Sequence, residues 1–111
     1  ISQKRLAQIV KARNSEQYRN WRLSVLARDE YTCQYPSCNA KEKLEIHHIR
    51  KFAHNKHLRT AVYNGIVLCA KHHKMIQGNE GAYELMFFKL VKANAAKQKK
   101  KKEDESNKDN S

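Results

Sequence analysis

The chain has 111 residues and a formal net charge of +12; 40% of the residues are hydrophobic, with three Phe and one Trp. That length fits one domain and not two, and so small a core seldom holds a fold without a covalent or metal staple. The sequence contains no apolar run of transmembrane length and no charged-then-apolar leader, and its three Cys cannot all pair within the chain.

In chain order, residues 1–12 read as a basic helix with Leu6, Ile9 and Val10 on one side. Asn14 or Ser15 can cap a second helix from about Glu16 to Arg28. Tyr18, Trp21, Val25 and Leu26 recur in it at helical spacing and should face the core, with Arg19, Arg22 and Arg28 on other faces. Tyr31 to Asn39 holds two Cys, a Pro and a Ser and reads as a tight knuckle. Lys43 to Ile49 alternates as a strand with Leu44 and Ile46 on one face. Arg50 to Asn64 lacks a clear period and reads as a loop, and Asn64-Gly65 is a turn signal. Ile66 to Leu68 is a short apolar strand, and Ala70 to Gln77 a helix ended by Gly78. Asn79 can cap a last helix over roughly Glu80 to Ala96, with Tyr83, Phe87, Leu90 and Val91 on its core side. The Lys-rich and mixed-charge stretch 97–111 cannot form a core and is expected to be a disordered tail. The division is therefore a basic segment at 1–15, one domain at 16–96, and the tail.

The charge favours nucleic acid as partner, because each phosphate neutralised releases counterions. Solubility, or a basic tail with no specific target, is the plainer reading of the same number. Acidic lipid is a weaker option, since no basic amphipathic helix with a Trp or Phe face stands out. An odd count of thiols suits a reducing, intracellular compartment in which thiolates serve as metal ligands.

Two ligand pairs stand out. Cys33 and Cys38 have four residues between them, and Cys69 and His72 have two. Close pairs separated by a long segment are how a chain builds a closed tetrahedral zinc site. Cys33, Cys38, Cys69 and His72 are thus expected to hold Zn²⁺, whose binding energy would replace the missing core. The competing reading is three ordinary thiols.

All 6 His lie between residues 47 and 73, with two adjacent pairs, His47-His48 and His72-His73. Neighbours on a strand point to opposite faces, so His47 and His48 cannot do the same job. The end of the first strand and the start of the following helix can meet, which would set one His of each pair beside a divalent ion. Phosphodiester hydrolysis needs an activated water, positive charge on the developing phosphorane and help for the leaving oxygen. A His can be the base, and a divalent cation can supply the rest. His54 and His57 read as surface residues.

Taken together, Trp21, Val25, Leu26, Arg28 and Asp29, then Tyr31-Thr32-Cys33-Gln34, Leu44-Glu45-Ile46-His47-His48-Ile49, Asn64-Gly65-Ile66-Val67-Leu68-Cys69, His72-His73 and Ile76 strongly resemble the HNH endonucleases. The nearest flavour is the small phage-type and mobile-element-type proteins with a zinc knuckle, over about residues 18–85. The resemblance implies an α+β fold with a ββα-metal unit and flanking helices. It implies that His48 is the general base, that His47 and His73 bind the catalytic divalent ion, and that Asn64 ties the loop together and orients His48. That ion is mostly Mg²⁺ in the family, sometimes Mn²⁺, Ni²⁺ or Zn²⁺. The family knuckle usually has four Cys, whereas here His72 stands in the fourth place. His72 is assigned to zinc because it completes the spacing, and His73 should then point toward His47; the alternative is that only one of the two binds metal.

The expected activity is nicking or double-strand cleavage of DNA, most readily duplex DNA. The chain would act as a monomer or homodimer, with a protein partner or without one, in the cytoplasm or on the nucleoid, and in the host cytoplasm if phage-encoded. Arg50, Lys51, Lys56 and Arg59 are the candidate phosphate contacts. Lys4, Arg5, Lys11, Arg13, Arg19, Arg22 and the Lys97–Lys102 run could add non-specific affinity. Nothing reads bases recognisably. The alternatives are a non-catalytic zinc-stabilised nucleic-acid-binding module and, on charge alone, an adaptor for an acidic protein.

Overall fold

The computed structural model describes residues 3–4, 15–51 and 56–109. The first helix, α1, spans Glu16–Arg28. Ser15 caps it in an extended conformation, its Oγ accepting the Tyr18 N–H at 3.1 Å, and Glu16 and Arg28 sit at the ends their charges favour. It stops where Glu30 and Tyr31 adopt φ of 55° and 53° and the Tyr31 N–H closes back on the Leu26 carbonyl at 2.9 Å. This is the left-handed closure usual at helix ends. The cap is therefore Ser15; Asn14, like most of the basic helix read over 1–12, lies outside the described residues, although residues 3–4 are helical.

Strand β1, Leu44–His48, pairs antiparallel with β2, Gly65–Cys69, with Leu44 opposite Cys69, Ile46 opposite Val67 and His48 opposite Gly65. Helix α2, Ala70–Ile76, follows β2 directly with Cys69 as its cap residue, and Gly78 at φ 85° ends the turn after it. Helix α3 spans Glu80–Asp109. The fold is α+β, with a β–β–α run at its centre. Among the described residues no helix is long and apolar enough to cross a membrane.

The sheet is covered on both faces. Trp21 and Val25 of α1 pack on Val67, with Tyr18, Leu26, Leu44 and Ile46 around them. On the other face Ile66 and Leu68 join Cys33, Ile49, Cys69, Ile76, Phe87 and Val91, with Tyr83 and Leu90 against them. The strand period of two explains the split: Gly65 and Val67 meet α1 while Ile66 and Leu68 face the other way, and only Cys69, at the strand's end, departs from it to join the second cluster.

Three sequence expectations change. Asn64-Gly65 is not a turn: Asn64 ends a short 3-10 helix, Val62–Asn64, and Gly65 is extended at φ −117° and opens β2. Glycine is needed there for closeness, because a Cβ would lie 2.6 Å from Trp21 Cζ2 and 2.8 Å from Val25 Cγ2. The loop carries a second 3-10 helix, Lys56–Arg59; residues 52–55, with the surface reading of His54, lie outside the described residues. Finally, α3 does not end at Ala96 and residues 97–109 are not a disordered tail. Asn94, Gln98 and Lys101 recur on one face at helical spacing and anchor the extension. Asn94 donates to Asp29 and Gln34, Gln98 to the Arg28 carbonyl and Glu30, and Lys101 forms an ion pair with Glu30. Lys, Gln and Glu are good helix formers, and no Gly or Pro interrupts the segment.

Candidate metal centre and histidine cluster

Cys33, Cys38, Cys69 and His72 come together, with their ligand atoms all within 4.8 Å of one another. The knuckle brings its two thiols round by a left-handed Ser37, φ 67°, and by the Cys33 N–H bonding the Ala40 carbonyl at 2.8 Å. Cys69 ends β2, and His72 lies in the first turn of α2. Cys33 Sγ is 3.7 Å and Cys69 Sγ 3.3 Å from His72 Nδ1, and the Cys38 and Cys69 sulfurs are 3.9 Å apart. Zinc bonds of about 2.3 Å to sulfur and about 2.0 Å to nitrogen place tetrahedral ligand atoms about 3.5–3.8 Å apart. The four side chains therefore fit a closed site for a metal such as zinc. All three Cys are free thiols. Burial pushes the Cys33 thiol up to about 11, while the His72 backbone N–H lowers that of Cys69. A bound cation would overcome the first effect and deprotonate the thiols outright. Tyr35 lies flat on the His72 ring, centroids 4.2 Å apart and planes 8° from parallel, which fixes the ring's orientation.

On the α3 face of β1, His47 and His73 meet with ring centroids 5.3 Å apart. Phe87 stands edge-on to His47 at 5.8 Å. His47 is 8% exposed, and its Nε2 is buried with no hydrogen-bond partner among the described residues. Burial first, and His73 beside it second, hold its pKa down at about 4. His47 is therefore neutral at physiological pH, as a metal-ligating imidazole must be. His73 Nδ1 lies 3.0 Å from Glu45 Oε2. Glu45 was not singled out by sequence reasoning, although its position two residues before His47 puts it on the same strand face.

His48 is on the other face. Its ring stacks on Trp21, centroids 4.3 Å apart and planes 13° from parallel, and its Nε2 is 3.1 Å from the Arg59 carbonyl. The structure thus brings His47 to His73 and keeps His48 across the strand from them. Asn64 is fully buried. Its Oδ1 accepts the Arg50 N–H at 2.9 Å, and its Nδ2 donates to the Arg50 and Leu58 carbonyls, both at 3.0 Å. These bonds close the loop that carries the Arg59 carbonyl to His48.

Of the candidate phosphate contacts, Lys51 and Lys56 are exposed. Arg50 is engaged, with its Nε 2.5 Å from Glu84 and its guanidinium 5.3 Å from the centre of the Phe88 ring. Arg59 is half-buried. Arg19, Arg22 and Lys4 are exposed, whereas Arg5, Lys11 and Arg13 lie outside the described residues. Arg28 is not on an outer face but buried. It forks onto Asp29 at 2.8 and 2.9 Å and donates to the Val62 and Gly65 carbonyls. Asp29 in turn accepts the Val67 N–H at 3.0 Å, so the pair joins the end of α1 to the loop and to β2. No family model, curated protein or solved structure matches this chain.

Proposed function

We propose that the protein is a metal-dependent endonuclease of the HNH type, built on a ββα-metal core, that hydrolyses DNA phosphodiester bonds. The observation that carries this reading is His47 Nε2, a buried ring nitrogen without a partner among the described residues, on a ring that packs against a second imidazole across the β1–α2 junction. Leaving such a nitrogen buried and unbonded is costly unless it has a ligand. Two imidazoles with a carboxylate beside them suit a first-row divalent ion, and Mg²⁺ is the ion the sequence resemblance favours. Bound there, the ion would polarise the scissile phosphate and stabilise the leaving oxygen.

In this reading the chain's own residues divide the remaining work. The Arg59 carbonyl can only accept a hydrogen bond, so His48 Nε2 carries the proton and Nδ1 is the basic nitrogen. His48 takes the proton from the attacking water. Asn64 keeps the loop carbonyl in place, and Trp21 holds the ring plane. Lys51 and Lys56 contact backbone phosphates. His48 is the last residue of β1 and pairs with the first of β2, so the scissile phosphate lies across that end of the sheet to reach both histidine sets. Cys33, Cys38, Cys69 and His72 hold a structural zinc that keeps β2 and α2 in register with the knuckle.

The placement of His48 against Trp21, away from His47, favours a second reading: a zinc-stabilised nucleic-acid-binding module without catalysis. A supercoiled-plasmid assay with EDTA, Mg²⁺, Mn²⁺ and Ni²⁺ separates the two. The nuclease nicks or linearises only with added ion, and loses about 10²-fold or more in His48→Ala while His48→Ala still binds DNA. Salt-sensitive DNA binding without cleavage under any ion selects the binding module.

A further inference from the structure

The His47–His73 pair leaves open which nitrogen of His73 is presented to a ligand. An imidazole free in water prefers to carry its proton on Nε2, which would leave Nδ1 as the lone pair. In this chain Nδ1 lies 3.0 Å from a Glu45 carboxylate oxygen. An ionised carboxylate only accepts hydrogen bonds, so the proton of a neutral His73 belongs on Nδ1. The Nε2 lone pair is then the one left to the cluster. His73 is 25% exposed at its side chain and Glu45 49%, so the contact lies at the mouth of the cluster, while the His47 end is buried.

We propose that Glu45 is a positioning residue that fixes His73 in its Nδ1–H tautomer, so that His73 offers Nε2 to the same divalent ion as His47. The inference rests on the reading of that pair as an ion site. Strand and helix geometry supply the arrangement. Glu45 and His47 are two apart on β1 and share a face, and α2 brings His73 over that face. A carboxylate behind a metal-binding imidazole sets its tautomer, holds its ring angle and raises its basicity. Glu45 thereby acts on the ion through His73 without touching it. Its neighbour across the ladder is Leu68, and its side chain contributes to neither apolar cluster, so truncating it leaves the core intact.

The test uses zinc-loaded full chain. Long-range ¹⁵N–¹H spectra recorded above the imidazole titration range report which ring nitrogen is protonated, with the histidine site free of added ion. Wild type should show His73 as Nδ1–H. Glu45→Ala should move it to Nε2–H, and Glu45→Gln, whose amide oxygen still accepts a hydrogen bond, should retain Nδ1–H. Titration with Ni²⁺ should show affinity lowered about 10- to 100-fold in Glu45→Ala and by less in Glu45→Gln. Unchanged zinc content and unfolding midpoint confirm that the variants are folded. The inference is overturned by an Nε2–H tautomer in wild type, by an unchanged tautomer in Glu45→Ala, or by unchanged Ni²⁺ affinity in that variant. His47→Ala and His73→Ala keep the two failures apart. If they lose Ni²⁺ binding and Glu45→Ala does not, only the role of Glu45 falls. If they bind Ni²⁺ like wild type, the ion site falls and this inference with it.

Discussion

The two faces of the β1–β2 sheet are stabilised by different means. On the α1 face, shape suffices. Trp21 fills the space over Gly65, Val25 and Val67 interlock, and the Trp21 Nε1–H reaches the Ala61 carbonyl at 2.8 Å. On the other face the apolar cluster runs into three thiols and an imidazole, which contact one another and could hold a metal ion. One histidine of the His47-His48 pair goes to each face. His48 has a ring to stack on and a carbonyl to bond, whereas His47 has a nitrogen with no partner. The contrast teaches that a small domain can build one half of its interior from side-chain volume and gather on the other half the thiols and imidazoles that could hold a metal.

The largest effect should come from the Cys33, Cys38, Cys69 and His72 group, if it holds zinc as proposed. Chelation, or Cys33→Ser, should abolish cooperative unfolding altogether, since structural zinc supplies an apparent ~10–16 kcal/mol in small zinc domains. Circular dichroism with elemental analysis reads this out. A chelated, zinc-free protein that still melts cooperatively would break the comparison. On the α1 face the response should be graded. Trp21→Ala should lower stability by about 3–5 kcal/mol with zinc content unchanged, measured by denaturant unfolding. Gly65→Ala should cost about 1–3 kcal/mol by overpacking against Trp21 and Val25; a neutral result would show that α1 can move away. The smallest effect is expected at the surface. Lys101→Ala removes an exposed ion pair with Glu30 and should leave the melting temperature nearly unchanged, while the helix beyond it exchanges its amide hydrogens faster.

Features set by neighbours along the chain were readable from the sequence. The bounds of α1, the face it buries and the alternation of β1 follow from local period, and the grouping of Cys33, Cys38, Cys69 and His72 follows from short spacings. Features set by contacts at long range were not. The Arg28 and Asp29 pair looks like an ordinary helix end until the Val62 and Gly65 carbonyls and the Val67 amide arrive from elsewhere in the chain. Asn64-Gly65 carries the composition of a turn, yet each residue is chosen by its tertiary surroundings, Asn64 by three loop hydrogen bonds and Gly65 by the approach of Trp21. The length of α3 was missed because its lysines read as a solvated run. What marks the helix is a stripe of Asn94, Gln98 and Lys101, whose partners lie sixty or more residues earlier. Glu45 was visible by strand parity, but its relation to His73 required the helix to be in place.

The anchoring of α3 on the end of α1 also has a consequence for the order of events in folding. The bonds from Gln98 to the Arg28 carbonyl and from Lys101 to Glu30 span 70 and 71 residues, and closing a loop of that length costs more chain entropy than closing the β1–β2 hairpin. They involve exposed or half-buried partners and return little for that cost. The extension of α3 is therefore expected to close after the interior has formed and to open before it, which amide exchange along 97–109 would read out. On that expectation the chain has a folded centre and a basic arm held to the end of α1 by a few polar contacts.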